Sequence, residues 1–158
     1  MPGPGVVADV VQAVGDVLTS SAVSIVQRTG CVAVVSHSKH WVCLFPQHGP
    51  GMKYTRRIEL EPWQDEIVRE HPGPFLRGLF HSDGCRTVNR TRATVDGVEK
   101  AYKYPRWMFS NRSEDIHRLC AAALDRLGIA HRRSRADTIS VARRDAVELM
   151  DRVVGPKT

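Results

Sequence analysis

The sequence predicts an α+β fold. Three observations predict it. Apolar residues at helical spacing alternate with pairs of β-branched runs joined by turn dipeptides, the order helix, strand, strand, helix occurs twice, and positive charge gathers on the strand pairs. The 158 residues are enough for one domain with a real core, or for two small repeats that share one. With 42% apolar and 25% charged residues the composition is that of an ordinary globular protein. No uninterrupted apolar run approaches the roughly 18 residues of a membrane span, so no membrane partner is expected. Met1–Asp9 lacks the basic start of a secretory signal, which makes a cytoplasmic location the expectation.

Val6, Val7, Val10, Val11, Val14, Val17 and Leu18 recur at helical spacing and predict an amphipathic helix over 5–18. Ser24–Gln27 and Cys31–Ser36 are β-branched runs around Arg28-Thr29-Gly30, a hairpin pattern. A short helix over 40–45 is expected before Pro46, and Gly49-Pro50-Gly51 then breaks the chain. Residues 52–60 read as linker, and Pro62 starts a helix carrying Trp63, Ile67 and Val68 that ends at His71-Pro72-Gly73. Phe75–Asp83 is a short apolar helix with Gly84 in the left-handed position that closes helices. Arg86–Val95 and Lys103–Ser110 are strands around Asp96-Gly97, with a connection longer than a tight hairpin needs. Asn111 or Ser113 caps the next helix, whose buried face is Ile116, Leu119, Cys120, Ala123, Leu124 and Leu127, and Gly128 ends it. His131–Ser134 and Thr138–Ala142 form another strand pair, followed by a helix carrying Val147, Met150, Val153 and Val154.

The repeat is visible in the ends of its copies. Residues 6–53 and 113–157 share one element order; Gly49-Pro50 matches Gly155-Pro156, and Asp16-Val17-Leu18 matches Asp125-Arg126-Leu127. The first copy has no counterpart of residues 75–110. The expected organisation is a partial αββα repeat over 1–53, a linker with a short helix over 54–73, and a complete repeat over 74–158.

The formal net charge is +6, and its distribution says more than its sum. Residues 86–112 carry Arg86, Arg90, Arg92, Lys100, Lys103, Arg106 and Arg112 against Asp96 and Glu99, a local net of +5. Residues 131–144 add Arg132, Arg133, Arg135, Arg143 and Arg144 against Asp137, a net of +4. Residues 24–40 contribute +2, and the remainder of the chain sums to −5. Side chains alternate along a strand, so Arg86, Val88, Arg90 and Arg92 share one face and Thr87, Asn89, Thr91 and Ala93 the other. A basic sheet face with helices behind it suits a phosphate backbone, and arginine and asparagine on it can read base edges in the major groove of double-stranded DNA.

Leu76-Arg77-Gly78-Leu79-Phe80-His81-Ser82-Asp83-Gly84 ends an apolar helix directly before the basic strands. It resembles the LAGLIDADG motif of the DOD-type homing endonucleases and intein endonucleases. The following order of strand pair, helix, strand pair, helix resembles that family's αββαββα unit with its curved antiparallel sheet. The resemblance implies double-stranded DNA as partner, and Mg²⁺-dependent cleavage of phosphodiester bonds where catalysis is intact. It implies that Asp83 is the catalytic and metal-binding acid, and that Gly78 and Ser82 let two such helices pack closely. A homodimer through the Phe75–Asp83 helix would bring two acids together. The chain departs from the family pattern in two ways: the preceding repeat lacks its motif helix and with it the second acid, and His81 replaces the first Asp of the motif. These departures point to a degenerate, DNA-binding regulator, with an active endonuclease as the alternative. Lys100 and Lys103 are both candidates for the assisting base.

The remaining chemistry-bearing residues point elsewhere. Cys31, Cys43, Cys85 and Cys120 form no Cys-x-x-Cys pair, and buried free thiols are expected. Cys31, His37, His40 and Cys43 match no standard zinc spacing, and His37 and His40 read as a strand end and a helix start. Trp41, Trp63 and Trp107 are expected to pack in the core or between helices.

Overall fold

The structure, a computed structural model, describes residues 4–156. It is α+β, with six α-helices and two antiparallel sheets among the described residues. The chain divides into two compact units, Met1–Gly49 with Pro156–Thr158, and Pro50–Gly155. Lys157, the end of the expected second copy, lies outside the described residues.

The first unit holds α1 (Pro4–Val17), β1 (Val23–Arg28), β2 (Cys31–Ser36) and α2 (Trp41–Leu44). The strands pair antiparallel through the two-residue Thr29-Gly30 turn, where Gly30 takes a φ of +79°. The element order matches the expectation, although α2 is a single turn. His37 and His40 fall between β2 and α2 as anticipated. None of residues 5–49 is buried.

The second unit holds α3 (Pro62–Glu70), α4 (Pro72–Asp83), β3 (Gly84–Val95), β4 (Val98–Ser110), α5 (Glu114–Arg126), β5 (Arg132–Arg135), β6 (Thr138–Val141) and α6 (Arg144–Val153). Its sheet has the order β3-β4-β6-β5, antiparallel throughout. Residues 54–73, expected as a linker with a short helix, belong to this unit and are tied into it. The Ile58 N–H donates to Asp115 Oδ2 at 2.7 Å, and the Arg112 guanidinium lies 4.4 Å from the centre of the Tyr54 ring. Hydrogen bonding from Ile58, followed by Arg118, holds the Asp115 carboxyl below its usual range.

One face of the sheet carries the core. Leu76 and Phe80 from α4, Trp107 and Phe109 from β4, Cys120 and Leu124 from α5, Ile139 and Val141 from β6, and Val147 and Met150 from α6 are all buried. The Phe80 ring meets Trp107 edge-on at 5.8 Å and Phe109 at 5.4 Å, so α4 is seated on β4. The helix at 114–126 starts at Ser113, whose Oγ accepts from the Ile116 N–H at 3.4 Å, and stops where Gly128 turns left-handed at φ +67°. There Ile129 N–H donates to Leu124 O and Gly128 N–H to Asp125 O, both at 2.9 Å, which satisfies the last carbonyls.

Several expectations are corrected here. Pro72 opens α4 rather than only closing α3, because a proline lacks the N–H that a first helical turn leaves unused anyway. Gly84 is extended (φ −103°, ψ 165°) and is the first residue of β3. Its role is close approach: a Cβ there would meet the Phe80 ring at 2.6 Å and the Phe80 backbone at 2.7 Å. Asp96-Gly97 forms a tight two-residue turn with φ +54° and +76°, so β3 and β4 are long and Val95 pairs Val98. Only Cys120 is buried; Cys31, Cys43 and Cys85 are exposed, and all four thiols are free. Burial pushes the Cys120 thiol up to about 12. Trp107 is core as expected, Trp41 stacks on Phe45, and Trp63 is 44% exposed while its neighbour Gln64 is buried with Oε1 accepting from the Glu61 N–H.

Candidate nucleic-acid interface

The β3-β4 register decides where each basic residue points. Directly opposed residues in an antiparallel pair share a face, and Trp107 lies opposite Arg86. Because Trp107 is in the core, Arg86, Arg90 and Arg92 stand on the helix side, with Lys103 opposite Arg90. Arg133 joins them through its pairing with Ile139. This corrects the expectation that the arginine-bearing face of β3 is the free surface of the sheet.

Most cations on the helix side have acids beside them. Arg86 grips Asp151 of α6 through Nε and Nη2 at 2.7 and 2.8 Å, and the Trp107 indole N–H donates to the same carboxylate at 2.7 Å. Hydrogen bonding from Arg86 holds the Asp151 carboxyl below its usual range, against a weaker opposing effect of burial. Arg133 pairs with Glu114 at 2.7 Å, and Arg92 with Glu99 at 3.5 Å. Arg90 and Lys103 face each other, exposed, farther out on the hairpin.

The open face is different in kind. It carries Thr87, Asn89, Thr91, Lys100, Tyr102, Tyr104, Arg106, Met108, Ser110, Arg132 and Arg135, with Thr138 and Ser140 of β6 buried on the same side, and no acid comes from any of its strands. Tyr102 and Tyr104 stack at 6.1 Å, nearly parallel. Among the described residues, Lys100, Arg106, Arg132 and Arg135 have no carboxylate partner, and the buried Nε of half-buried Arg106 has no hydrogen-bond partner. An arginine drawn partly out of water with no counter-charge leaves the face electrostatically unsatisfied. Only residues 107–110 of β4 pair with β6, so most of the β3-β4 hairpin projects as a two-stranded ribbon.

Asp83 ends α4 beside this sheet. Its Oδ2 accepts from Asn111 Nδ2 at 2.9 Å and lies 3.7 Å from Lys53 Nζ. Asn111 is a buried hub: Oδ1 accepts from the Ser113 N–H, its own N–H donates to Asp137 O, and its carbonyl lies 2.7 Å from His117 Nε2. Lys53 and this hub were not anticipated. Lys100 and Lys103, the expected assistants, lie away from Asp83; Lys103 is six register positions from Phe109, opposite Gly84, or about 20 Å along the strand.

His81 has a structural partner: its Nε2 lies 3.1 Å from the carbonyl of Val154, where Arg77 also donates at 3.3 Å. Both side chains tie α4 to the end of α6. Gly78 and Ser82 lie exposed on α4, with nothing within 4 Å of a Cβ added at Gly78.

A magnesium site needs hard oxygen ligands with room for waters and substrate phosphate. At Asp83 one carboxylate oxygen, Oδ2, is held by the Asn111 amide and faces the Lys53 ammonium, so that oxygen is already matched within the fold. Among the described residues, no three His, Cys, Asp or Glu side chains converge to hold a metal ion. No described helix is long and apolar enough to cross a membrane.

Compared with known protein families and with characterised proteins, the chain matches none of them.

Proposed function

We propose that this chain is a double-stranded-DNA-binding protein of the LAGLIDADG homing-endonuclease type, catalytically degenerate and acting as a cytoplasmic regulator. The observation that carries the reading is the open sheet face, where Lys100, Arg106, Arg132 and Arg135, beside Asn89, Tyr102 and Tyr104, have no carboxylate partner among the described residues. A two-stranded ribbon fits the major groove, and such cations bind phosphates. The family-level part rests on the motif at residues 76–84 and on the α4-β3-β4-α5-β5-β6-α6 order that follows it. The Asn111 and Lys53 contacts give Asp83 a structural use and favour the non-catalytic form.

A Mg²⁺-dependent, site-specific endonuclease is the second reading. It is favoured by the exposed small residues Gly78 and Ser82 on the helix that ends in Asp83, a surface on which a second copy's α4 could pack. Incubation with plasmid libraries, with and without Mg²⁺, beside Asp83→Asn, separates the two. The first reading expects retarded but intact duplex for both proteins. Metal-dependent cutting that disappears in Asp83→Asn would establish the second, and duplex retarded by neither protein at low salt would remove both.

A further inference from the structure

Strand β2 has one edge that no described strand covers. The two-residue turn makes Arg28↔Cys31 the closing pair, which exchanges both hydrogen bonds, and the pattern alternates from there. Ala33 and Val35 therefore bond inward to β1, while Val32, Val34 and Ser36 turn their N–H and C=O groups to the free edge. Such a row of unmet donors and acceptors is a template for another strand.

Edges are usually guarded by charge, and those of the larger sheet are. Edge strand β3 carries Arg86, Arg90 and Arg92, and edge strand β5 carries Arg132, Arg133 and Arg135. By contrast β2 reads Cys-Val-Ala-Val-Val-Ser, without a charge, proline or glycine. Its companion β1 carries Ser24, Gln27 and Arg28. A helix on a two-stranded sheet is also below what folds alone, and Val17, Ile25, Val42 and Phe45 are each more than half exposed.

We infer that β2 pairs antiparallel with β2 of a second copy of this chain. A two-fold axis normal to the sheet through Val34 sets Val34 opposite Val34 of the partner subunit and Val32 opposite Ser36 of the partner subunit. Every outward N–H and C=O of the strand then meets one of opposite kind, and the small Ala33 lies opposite Val35 of the partner subunit. The same axis puts both α1 helices on one side of a four-stranded sheet. The contact is isologous, so it closes at a dimer, and the more polar β1 strands become the outer edges.

Sedimentation velocity on the full chain tests this. The wild type is expected to be a dimer. Val34→Pro removes an outward N–H and none of the β1-β2 bonds, so it is expected to sediment as a monomer with unchanged helical circular dichroism. Val34→Lys sets like charges opposite each other and is expected to give a monomer at low salt that regains the dimer as salt screens them. Gly78→Gln, on α4, is expected to leave the dimer intact. A monomeric wild type, or a dimer that persists in both Val34 variants, overturns the inference. So does a dimer lost in Gly78→Gln but kept in Val34→Lys. Should Val34→Pro lose helical signal, Val34→Lys decides alone.

Discussion

The two faces of the four-stranded sheet carry comparable numbers of cations and use them differently. On the helix side, Arg86, Arg92 and Arg133 lie beside Asp151, Glu99 and Glu114, and the Arg86 pair ties α6 to the strands. On the open side, Lys100, Arg106, Arg132 and Arg135 have no carboxylate partner among the described residues. Basic residues are therefore an uninformative count until their face is known. The helix-side cations Arg86, Arg92 and Arg133 are matched by acids within the fold, whereas those on the open side are unmatched among the described residues, which is the ground for the proposed duplex binding.

Under the proposed division, helix-side changes are expected to alter stability and to leave the salt dependence of duplex binding unchanged. The largest effect is expected from Phe80→Ala, which removes the ring that seats α4 on Trp107 and Phe109. Urea unfolding should show a loss of about 3–5 kcal/mol. A duplex-binding salt dependence that changed along with it would blur the distinction between the faces.

Asn111→Ala comes next, at about 1–3 kcal/mol, because it strands the buried Ser113 N–H and loosens Asp83 at the junction of α4 and α5. Asp83→Asn keeps an oxygen for the Asn111 amide and loses only an ion pair to a lysine that is 61% exposed, so its cost should be within about 1 kcal/mol. Asp83→Asn as damaging as Asn111→Ala would show that the carboxylate charge matters more than its hydrogen bond.

The smallest effect is the pH dependence of the Arg86–Asp151 pair. Arg86 lowers the folded-state pKa of Asp151, so the stabilisation is complete above the unfolded-state value of about 3.9 and is lost as pH falls through the lower folded value. The stability gap between wild type and Asp151→Asn should be constant from neutral pH down to about pH 5 and close at lower pH. A gap that closes nearer neutrality would contradict the pairing.

Much of this was legible in the residues, and the part that was not has a specific cause. The helices showed in their spacing, as with Ile116, Cys120 and Leu124, and the Asp96-Gly97 dipeptide marked the turn. Face assignment failed because alternation along β3 alone leaves two equivalent choices. Reading Asp96-Gly97 as a tight turn would have set Trp107 opposite Arg86, and the apolar parity of Trp107 and Phe109 would have resolved the choice. Lys53 had no such signal. It precedes Asp83 by thirty residues in a segment without periodicity, and only the packing of residues 50–60 brings it near.

The central claim, that the open face binds duplex DNA, is tested most directly by the salt dependence of binding. The variant Lys100→Ala/Arg106→Ala/Arg132→Ala/Arg135→Ala should be compared with wild type and with Arg92→Ala/Arg133→Ala from the helix side. The account predicts that the open-face variant lowers the slope of log affinity against log salt by about 3–4, while the helix-side variant keeps the wild-type slope. Equal slopes for all three proteins, or the larger loss in the helix-side variant, would contradict it.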